Sequence, residues 1–290
     1  MKKIGAVLVF SGLCVFATRL YAQDVFKEYT LPGIVQHDFV SRINHLPYRL
    51  SIALPFGYSA ADTTHYPVMY ILDADPDLPL AALIQWNMTY DGELPNMILV
   101  GVGYQTANFM ETVPYRTTDY TPSSDLKADS EMTAHHHVRM VSGGAAGFLR
   151  VLTEEICPLI RERYKTTSDQ GLAGHSFGGL FAAYVLLNHP ETFDRYLISS
   201  PSLYWDSKEI KKEEINYYSA GHRALSARVF VSAGAAEPDS MVPDVKEFVA
   251  ALSSRKYKDL QLSEKIFDGE THLSVIPFSI SRGLRALYHN

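Results

Sequence analysis

Short apolar runs alternate with stretches of helical periodicity along most of this chain. Residues 46–55 alternate apolar and polar side chains, which predicts a half-buried strand. The nearly continuous apolar runs at 66–75 and 96–104 predict strands that are buried on both faces. Further strands are predicted directly before Gly174 and at 195–202, 227–237 and 260–269.

Helices are predicted between these strands. In residues 145–164, apolar side chains such as Phe148, Leu152 and Ile156 recur at helical spacing. The other helical stretches are 177–188, 242–254 and 273–288. Because strands that alternate with helices need crossover connections, we expect an α/β fold with a mostly parallel sheet, an antiparallel start and helices on both faces.

Composition and charge place the chain among ordinary globular proteins. It has 290 residues, of which 47% are hydrophobic and 20% charged. Its formal net charge of -6, with no basic run, argues against a partner with a phosphate backbone. We expect no nucleic-acid partner.

The first residues have the pattern of a secretory signal. Lys2 and Lys3 precede an apolar stretch from Ile4 to Ala17, and small residues end at Ala22. We therefore predict a signal peptide at 1–22, a single domain at 23–290, and a periplasmic or secreted bacterial protein without a stable membrane anchor after cleavage. The alternative is an uncleaved anchor. Cleavage would leave 23 basic against 32 acidic residues, a net charge of -9.

Cysteine usage agrees with an exported protein that depends on its core. Cys14 lies in the predicted signal, so the mature chain keeps Cys157 alone and forms no internal disulfide. Cys157 falls in the helical pattern of 145–164, and we interpret it as a core residue rather than a functional thiol.

The run Gly174-His175-Ser176-Phe177-Gly178 lies between a predicted strand and a predicted helix. A sharp strand-to-helix turn with small flanking residues can expose a serine hydroxyl as a nucleophile. The backbone N–H of Phe177 would then lie at a helix N-terminus, where a donor can hold an oxyanion. The alternative is a tight turn with a solvent-facing serine.

A serine nucleophile needs a base that an acid orients. His272 follows a predicted strand and precedes the last predicted helix, which favours it as the base; His175 instead adjusts the turn. Glu237 is the first carboxylate after another strand, and Asp239 is the alternative acid. His189 and His222 are interpreted as surface residues.

Two other segments bear on the chemistry. The loop after the strand at 66–75 is the candidate source of a second oxyanion donor, and we select the backbone N–H of Asp75. The run His135-His136-His137 has no supporting Cys, Asp or Glu at ligand spacing, so a polar loop is favoured over a zinc site. We expect no metal and no cofactor.

The segments YPVMYILDAD, RTTDYTP, GHSFGG, SPSLYWD, GAAE and GETH occur in this order from about residue 34 onward. They resemble the "Putative esterase" branch of the α/β-hydrolase superfamily, which includes siderophore trilactone esterases, S-formylglutathione hydrolase, feruloyl esterases and the antigen 85 mycolyltransferases. The resemblance implies an α/β-hydrolase fold with a small cap or none. It also implies a triad of Ser176, Glu237 and His272, with Phe177 and Asp75 as oxyanion donors.

Aromatic and basic residues suggest the kind of ester. Arg116, Tyr120, Tyr204 and Trp205 are candidate substrate-binding residues, since aromatic faces and a cation suit an aryl, acidic or catecholate ester. The alternative is that the rings fill the core and Arg116 pairs with Asp119. The charged stretch 206–226 is typical of a solvated helix and occupies the place of a small cap.

Together these features predict an exported serine esterase of siderophore trilactones. A feruloyl or acetyl carbohydrate esterase and an acyltransferase would use the same residues, and a non-catalytic binding protein is a further alternative. The oligomeric state does not follow from the sequence.

Overall fold

The computed structural model describes residues 31–61, 63–238 and 240–289. The predicted signal segment 1–22 with Cys14, and the alternative acid Asp239, lie outside these ranges. Among the described helices, none is both long enough and apolar enough to cross a bilayer.

A single eight-stranded sheet forms the centre of the described part of the chain. Its spatial order is β1-β2-β4-β3-β5-β6-β7-β8. The strands are β1 Ile34–Val40, β2 Pro47–Ala53, β3 Tyr66–Leu72, β4 Ile98–Tyr104, β5 Thr166–His175, β6 Arg195–Ser199, β7 Ala224–Gly234 and β8 Lys258–Phe267. The pairs β1–β2 and β2–β4 are antiparallel and the other pairs are parallel, which confirms the predicted sheet with its antiparallel start.

The helices confirm some predictions and correct others. They are α1 Ala74–Tyr90, α2 Phe109–Tyr120, α3 Leu126–His136, α4 Ala145–Arg150, α5 Cys157–Arg163, α6 Phe177–Asn188, α7 Trp205–Ser219, α8 Met241–Arg255 and α9 Ile276–Tyr288. Helix α6 has the predicted bounds. The predicted helix at 145–164 is divided, because a π-helical turn at Val151–Ile156 separates α4 from α5. The predicted polar loop at His135-His136-His137 is wrong, since the first two residues end α3.

Helices cover both faces of the sheet, each over its own apolar core. Helices α1 and α9 cover one face, where Met69 and Leu197 are buried. The other face packs against α2, α4, α5, α6, α7 and α8. Cys157 is buried in this second core as a free thiol, as predicted, and burial raises its pKa to about 11.

Helix α9 approaches the sheet closely at Gly283. A Cβ atom at this position would lie 2.6 Å from Leu197 Cδ1 and 3.0 Å from Phe230 Cδ1. This close packing holds the middle of α9 against β6 and β7. The turn before α9 contains His272.

The parallel strands place the candidate residues at one edge of the sheet. Strands β3, β5, β6, β7 and β8 run in the same direction, so their carboxyl ends lie together. Asp73, Ser176, Ser200, Glu237 and His272 all come directly or shortly after these ends. The topology thus gathers side chains that are far apart in the sequence.

Candidate active site

Ser176 occupies a strained turn between β5 and α6. Its φ of 60° and ψ of -117° lie in a region that residues with a Cβ rarely adopt. The backbone N–H of Ser176 donates to Ser199 O at 3.0 Å, and that of Ser202 donates to Ser176 O at 3.1 Å. These bonds from the segment after β6 hold the turn in place. Ser176 Oγ lies 3.4 Å from Ser202 Oγ.

The glycines around Ser176 are required to different degrees. A Cβ at Gly174 would lie 2.2 Å from the carbonyl oxygen of Gly178, so no side chain fits there. A Cβ at Gly178 would make only ordinary contacts, the nearest at 3.4 Å. At Gly179 a Cβ would lie 2.8 Å from Ser199 O. Small residues were expected on both sides of Ser176; the structure requires glycine at Gly174 and also at Gly179, which lies one residue beyond the five-residue pattern.

His272 and Glu237 are joined by a hydrogen bond. His272 Nδ1 lies 3.0 Å from Glu237 Oε2. The Glu237 side chain is fully buried, whereas one third (33%) of the His272 side chain is exposed. The predicted acid and base therefore lie in contact, with the base open to solvent on one side.

The other oxygen of Glu237 is also bonded. Glu237 Oε1 accepts from the hydroxyl of Ser200 at 2.5 Å and from the backbone N–H of Gly234 at 2.6 Å. Burial by itself raises the pKa of Glu237, but the hydrogen bonds from His272, Ser200 and Gly234 outweigh it and lower that pKa. Glu237 is thus held as a carboxylate. Sequence reasoning gave Ser200 no role, although it is the first residue of the SPSLYWD segment.

His175 lies between His272 and the end of β6. Its ring centroid is 4.5 Å from that of His272, and its Nδ1 lies 3.1 Å from Ser199 Oγ. Burial, together with the nearby charges of His272 and Arg116, holds the pKa of His175 well below its usual range, so the ring is neutral. Because His175 directly precedes Ser176, this ring contact brings the His272 imidazole close to the Ser176 turn.

Two helix N-termini also face the carboxyl edge. Phe177 is the first residue of α6 and Asp75 is the second residue of α1. The first N–H groups of a helix have no partner within the helix, and neither helix has a side-chain cap. Asp73, which precedes α1, is left-handed with φ of 53°. These are the positions at which the two oxyanion donors were expected.

Arg116 does not pair with Asp119. Its Nε and Nη2 donate to the two carboxylate oxygens of Asp73 at 2.7 and 2.8 Å, and 12% of its side chain is exposed. Asp119 instead accepts from Tyr48 at 2.5 Å and from Tyr104 at 3.0 Å. The alternative pairing with Asp119 is therefore wrong.

The candidate substrate-binding aromatics differ in exposure. Tyr120 is fully buried, and its hydroxyl accepts from the backbone N–H of Asp73 at 3.3 Å. Trp205 is also buried and donates from Nε1 to Ser123 O at 3.1 Å. Direct contact between these two side chains and a substrate is contradicted by their burial. Tyr204 is 47% exposed, so its side chain is accessible to a substrate, as a substrate-binding residue must be.

Four other histidines that the sequence analysis singled out lie away from this site or on the surface. His189 and His222 are exposed, as predicted. The rings of His135 and His136 contact each other edge to face at 4.7 Å. Within the ranges that the structure describes, no group of three or more His, Cys, Asp or Glu residues is arranged to hold a metal ion.

Asp77 is a buried acid close to the Asp73–Arg116 pair. Burial, and secondly the charge of Asp73, raises the pKa of Asp77 from 3.8 to about 8. Asp77 is therefore protonated at neutral pH. It adds no negative charge to the site under those conditions.

The sheet is mostly parallel, and its carboxyl edge carries a strained serine turn with a carboxylate-bonded histidine beside it. This combination defines an α/β-hydrolase. The family profile described as "Putative esterase" matches residues 41–273. The chain belongs to this family, and it is an esterase.

Individual relatives agree with this assignment. The ferri-bacillibactin esterase BesA of Bacillus subtilis is 29% identical over 91% of this chain and 92% of its own length. The siderophore triacetylfusarinine C esterase of Aspergillus fumigatus is 26% identical over 84% of this chain and 89% of its own. A crystal structure of the BES protein from Bacillus cereus superposes with a TM-score of 0.80 at 27% identity, covering 93% of this chain and all (100%) of that one.

The two glycines after Ser176 provide a test of the turn. Gly178→Ala should leave kcat/KM for p-nitrophenyl acetate within about threefold of the wild type, since its Cβ fits without displacing the backbone. Gly179→Ala should lower kcat/KM by about 10²-fold, because the Cβ would push away the backbone of Ser199 and misplace Ser176. Equal effects of the two substitutions, in variants with matching circular dichroism, would contradict the geometry.

The raised pKa of Asp77 predicts a pH-dependent stability. The folded protein keeps a proton that the unfolded chain releases, so stability is lost as pH rises from about 4 to about 8. Asp77→Asn, which is neutral at every pH, should therefore gain in free energy of unfolding relative to the wild type over this window, reaching at least about 1 kcal/mol at pH 8. Urea titrations at pH 5 and pH 8 measure the gain. The exposed Asp91→Ser is the control, and a gain for Asp77→Asn that is equal at both pH values would show that Asp77 is ionised in the folded protein.

Proposed function

We propose that the chain hydrolyses carboxylic esters of siderophores, with Ser176 as nucleophile, His272 as general base and Glu237 as the orienting acid. The observation that carries the proposal is the hydrogen bond between His272 Nδ1 and the buried Glu237, next to the strained Ser176 turn. The order of Ser176, Glu237 and His272 along the chain also matches the order serine, acid, histidine that is typical of this fold.

The hydrogen bond determines which nitrogen acts as the base. Glu237 is an ionised acceptor, so Nδ1 of His272 carries the proton that it donates. Nε2 then has a free lone pair and can take the proton of the Ser176 hydroxyl. The imidazolium that forms is stabilised by the Glu237 carboxylate.

The reaction follows from these roles. Ser176 Oγ attacks the ester carbonyl carbon while its proton moves to His272. The backbone N–H groups of Phe177 and Asp75 hold the oxygen that becomes negative. His272 returns the proton to the departing alcohol, and an acyl-serine is left. Water then attacks the acyl carbon while its proton moves to His272, and His272 returns this proton to Ser176 Oγ as the bond to the acyl group breaks and the acid leaves.

The class of ester is inferred from the relatives. Two similar curated proteins of nearly the same length are named as siderophore esterases, one for ferri-bacillibactin and one for triacetylfusarinine C. The exposed ring of Tyr204, in the segment after β6 that also contacts Ser176, supplies an aromatic face for a substrate group. Export by the signal at 1–22 is part of the same proposal, and N-terminal sequencing of the mature protein tests it.

Variants of the triad test the mechanism. With p-nitrophenyl acetate and a catecholate trilactone, Ser176→Ala should lower kcat/KM by about 10³-fold or more, and Glu237→Gln by about 10²- to 10⁴-fold, because the base loses its orientation and charge partner. The exposed Ser254→Ala is the matched control and should behave as the wild type. Background-level release by both the wild type and Ser176→Ala would support a non-catalytic binding protein instead.

The same assay ranks the substrates. Hydrolysis of the catecholate trilactone should exceed that of feruloyl sugars and acetylated xylan at equal enzyme concentration. A higher kcat/KM for either carbohydrate ester would mean that the preferred substrate is a plant polysaccharide ester and not a siderophore ester. Product analysis with an added sugar or alcohol separates hydrolysis from acyl transfer, since a transferase would form a new ester.

A further inference from the structure

The segment SPSLYWD at 200–206 follows β6 and bonds through two serine hydroxyls to the candidate triad. Ser200 Oγ donates to the orienting acid, Glu237, at 2.5 Å. Ser202 Oγ lies 3.4 Å from Ser176 Oγ. Ser202 therefore contacts the very atom that is proposed to attack the ester.

The backbone holds Ser202 close to the nucleophile. Its N–H donates to Ser176 O at 3.1 Å, and its carbonyl oxygen accepts from the N–H of Trp205, also at 3.1 Å. Helix α6 packs against the residue before it, since a Cβ at Gly179 would lie 3.0 Å from Pro201 Cα. Only 1% of Ser202 is exposed. Its hydroxyl therefore stays near Ser176 Oγ and is shielded from water.

The surroundings of Ser202 determine which of the two hydroxyls is the donor. A buried O–H group needs an acceptor, because an unmet donor costs stability. Among the residues that the structure describes, Ser176 Oγ is the one hydrogen-bond partner of the Ser202 hydroxyl. In the proposed mechanism Ser176 gives its own proton to His272, so Ser176 Oγ is free to accept. Ser202 is thus the donor of this bond.

We propose that Ser202 is a further catalytic residue, whose hydroxyl donates a hydrogen bond to Ser176 Oγ and stabilises the negative charge that develops there. This inference rests on the proposed triad mechanism. The bond is long in the resting structure, but a hydroxyl bonded to a charged oxygen lies at about 2.5–2.7 Å, so the contact should shorten as Ser176 loses its proton. An interaction that is stronger in the transition state than in the ground state raises kcat.

The same hydrogen bond acts in both halves of the reaction. In acylation, the bond from Ser176 Oγ to the acyl carbon forms while the Ser176 proton moves to His272, and Ser202 keeps its own proton throughout. In the second half, the bond between Oγ and the acyl carbon breaks. Ser202 then stabilises the charge on the departing Oγ until His272 returns the proton.

Removal of the hydroxyl tests the role of Ser202. With p-nitrophenyl acetate, Ser202→Ala should lower kcat by about 10- to 10²-fold and leave KM within about threefold of the wild type. Rapid-mixing measurements should show that acylation and release of the acyl group are both slowed. Ser202→Cys keeps the size of the side chain but is a weak donor, so it should lose nearly as much. Wild-type kcat in Ser202→Ala would overturn the inference.

A second buried pair of serines provides the matched control. Ser279 is fully buried, and its Oγ accepts from the hydroxyl of Ser232 at 2.8 Å. Ser279→Ala removes a bond of the same kind without touching the nucleophile, and should keep kcat within about twofold of the wild type. If variants with matching circular dichroism lost kcat equally at Ser279 and Ser202, the contact with Ser176 Oγ would not be the cause.

A sulfur nucleophile separates hydrogen bonding from positioning. Sulfur accepts hydrogen bonds weakly, so in the Ser176→Cys protein the change Ser202→Ala should slow single-turnover acylation by p-nitrophenyl acetate by less than about threefold. The native thiol Cys157 is buried, and its raised pKa of about 11 keeps it unreactive. A loss as large as in the serine enzyme would show that Ser202 only supports the turn.

The outcomes distinguish this inference from the proposed function. If Ser176→Ala cleaves the ester as fast as the wild type, the proposed mechanism itself fails. If activity depends on Ser176 but the change Ser202→Ala has no effect, or has the same effect with sulfur as with oxygen, the role of Ser202 is wrong while the function stands.

Discussion

One buried carboxylate, Glu237, connects the loops on which the site depends. Its two oxygens accept hydrogen bonds from three chain segments: Gly234 at the end of β7, Ser200 after β6 and His272 after β8. The backbone reinforces this connection, since Ala236 N–H donates to Glu270 O at 2.9 Å. A fully buried carboxylate oxygen that accepts no hydrogen bond would cost stability, so these bonds stabilise the fold and orient the His272 ring at the same time.

A second charged pair shapes the opposite side of the site. Asp73 holds Arg116 with two hydrogen bonds, and its backbone N–H is bonded to the Tyr120 hydroxyl. These contacts fix the left-handed turn from which α1 starts, and so they fix the direction of its first N–H groups. The same two hydrogen bonds hold the Arg116 guanidinium in place on Asp73.

The sequence predicted the parts of the site that depend on local pattern. Ser176 and Phe177 follow from a strand, a glycine-rich turn and a helix, all short-range features, and helix α6 has the predicted bounds. His272 and Glu237 were found because each lies just after a strand. Sequence reasoning missed α1, since Pro76 and Pro79 interrupt its pattern and its buried side includes the polar residues Asp77 and Gln85. It expected small residues at Gly174 and Gly178 but not at Gly179, where only the approach of Ser199 reveals the requirement.

Features that depend on tertiary contacts were not predictable in this way. Arg116 could not be assigned to Asp73, because the two lie on different elements, and composition does not distinguish the buried Tyr120 and Trp205 from the exposed Tyr204. The central claim is that Ser176 is the activated nucleophile, and covalent labelling with a fluorophosphonate followed by peptide mass spectrometry tests it most directly. The account predicts one label per chain, on Ser176, formed much more slowly in Glu237→Gln. A label on another residue, or an unreactive Ser176 in the folded protein, would contradict it.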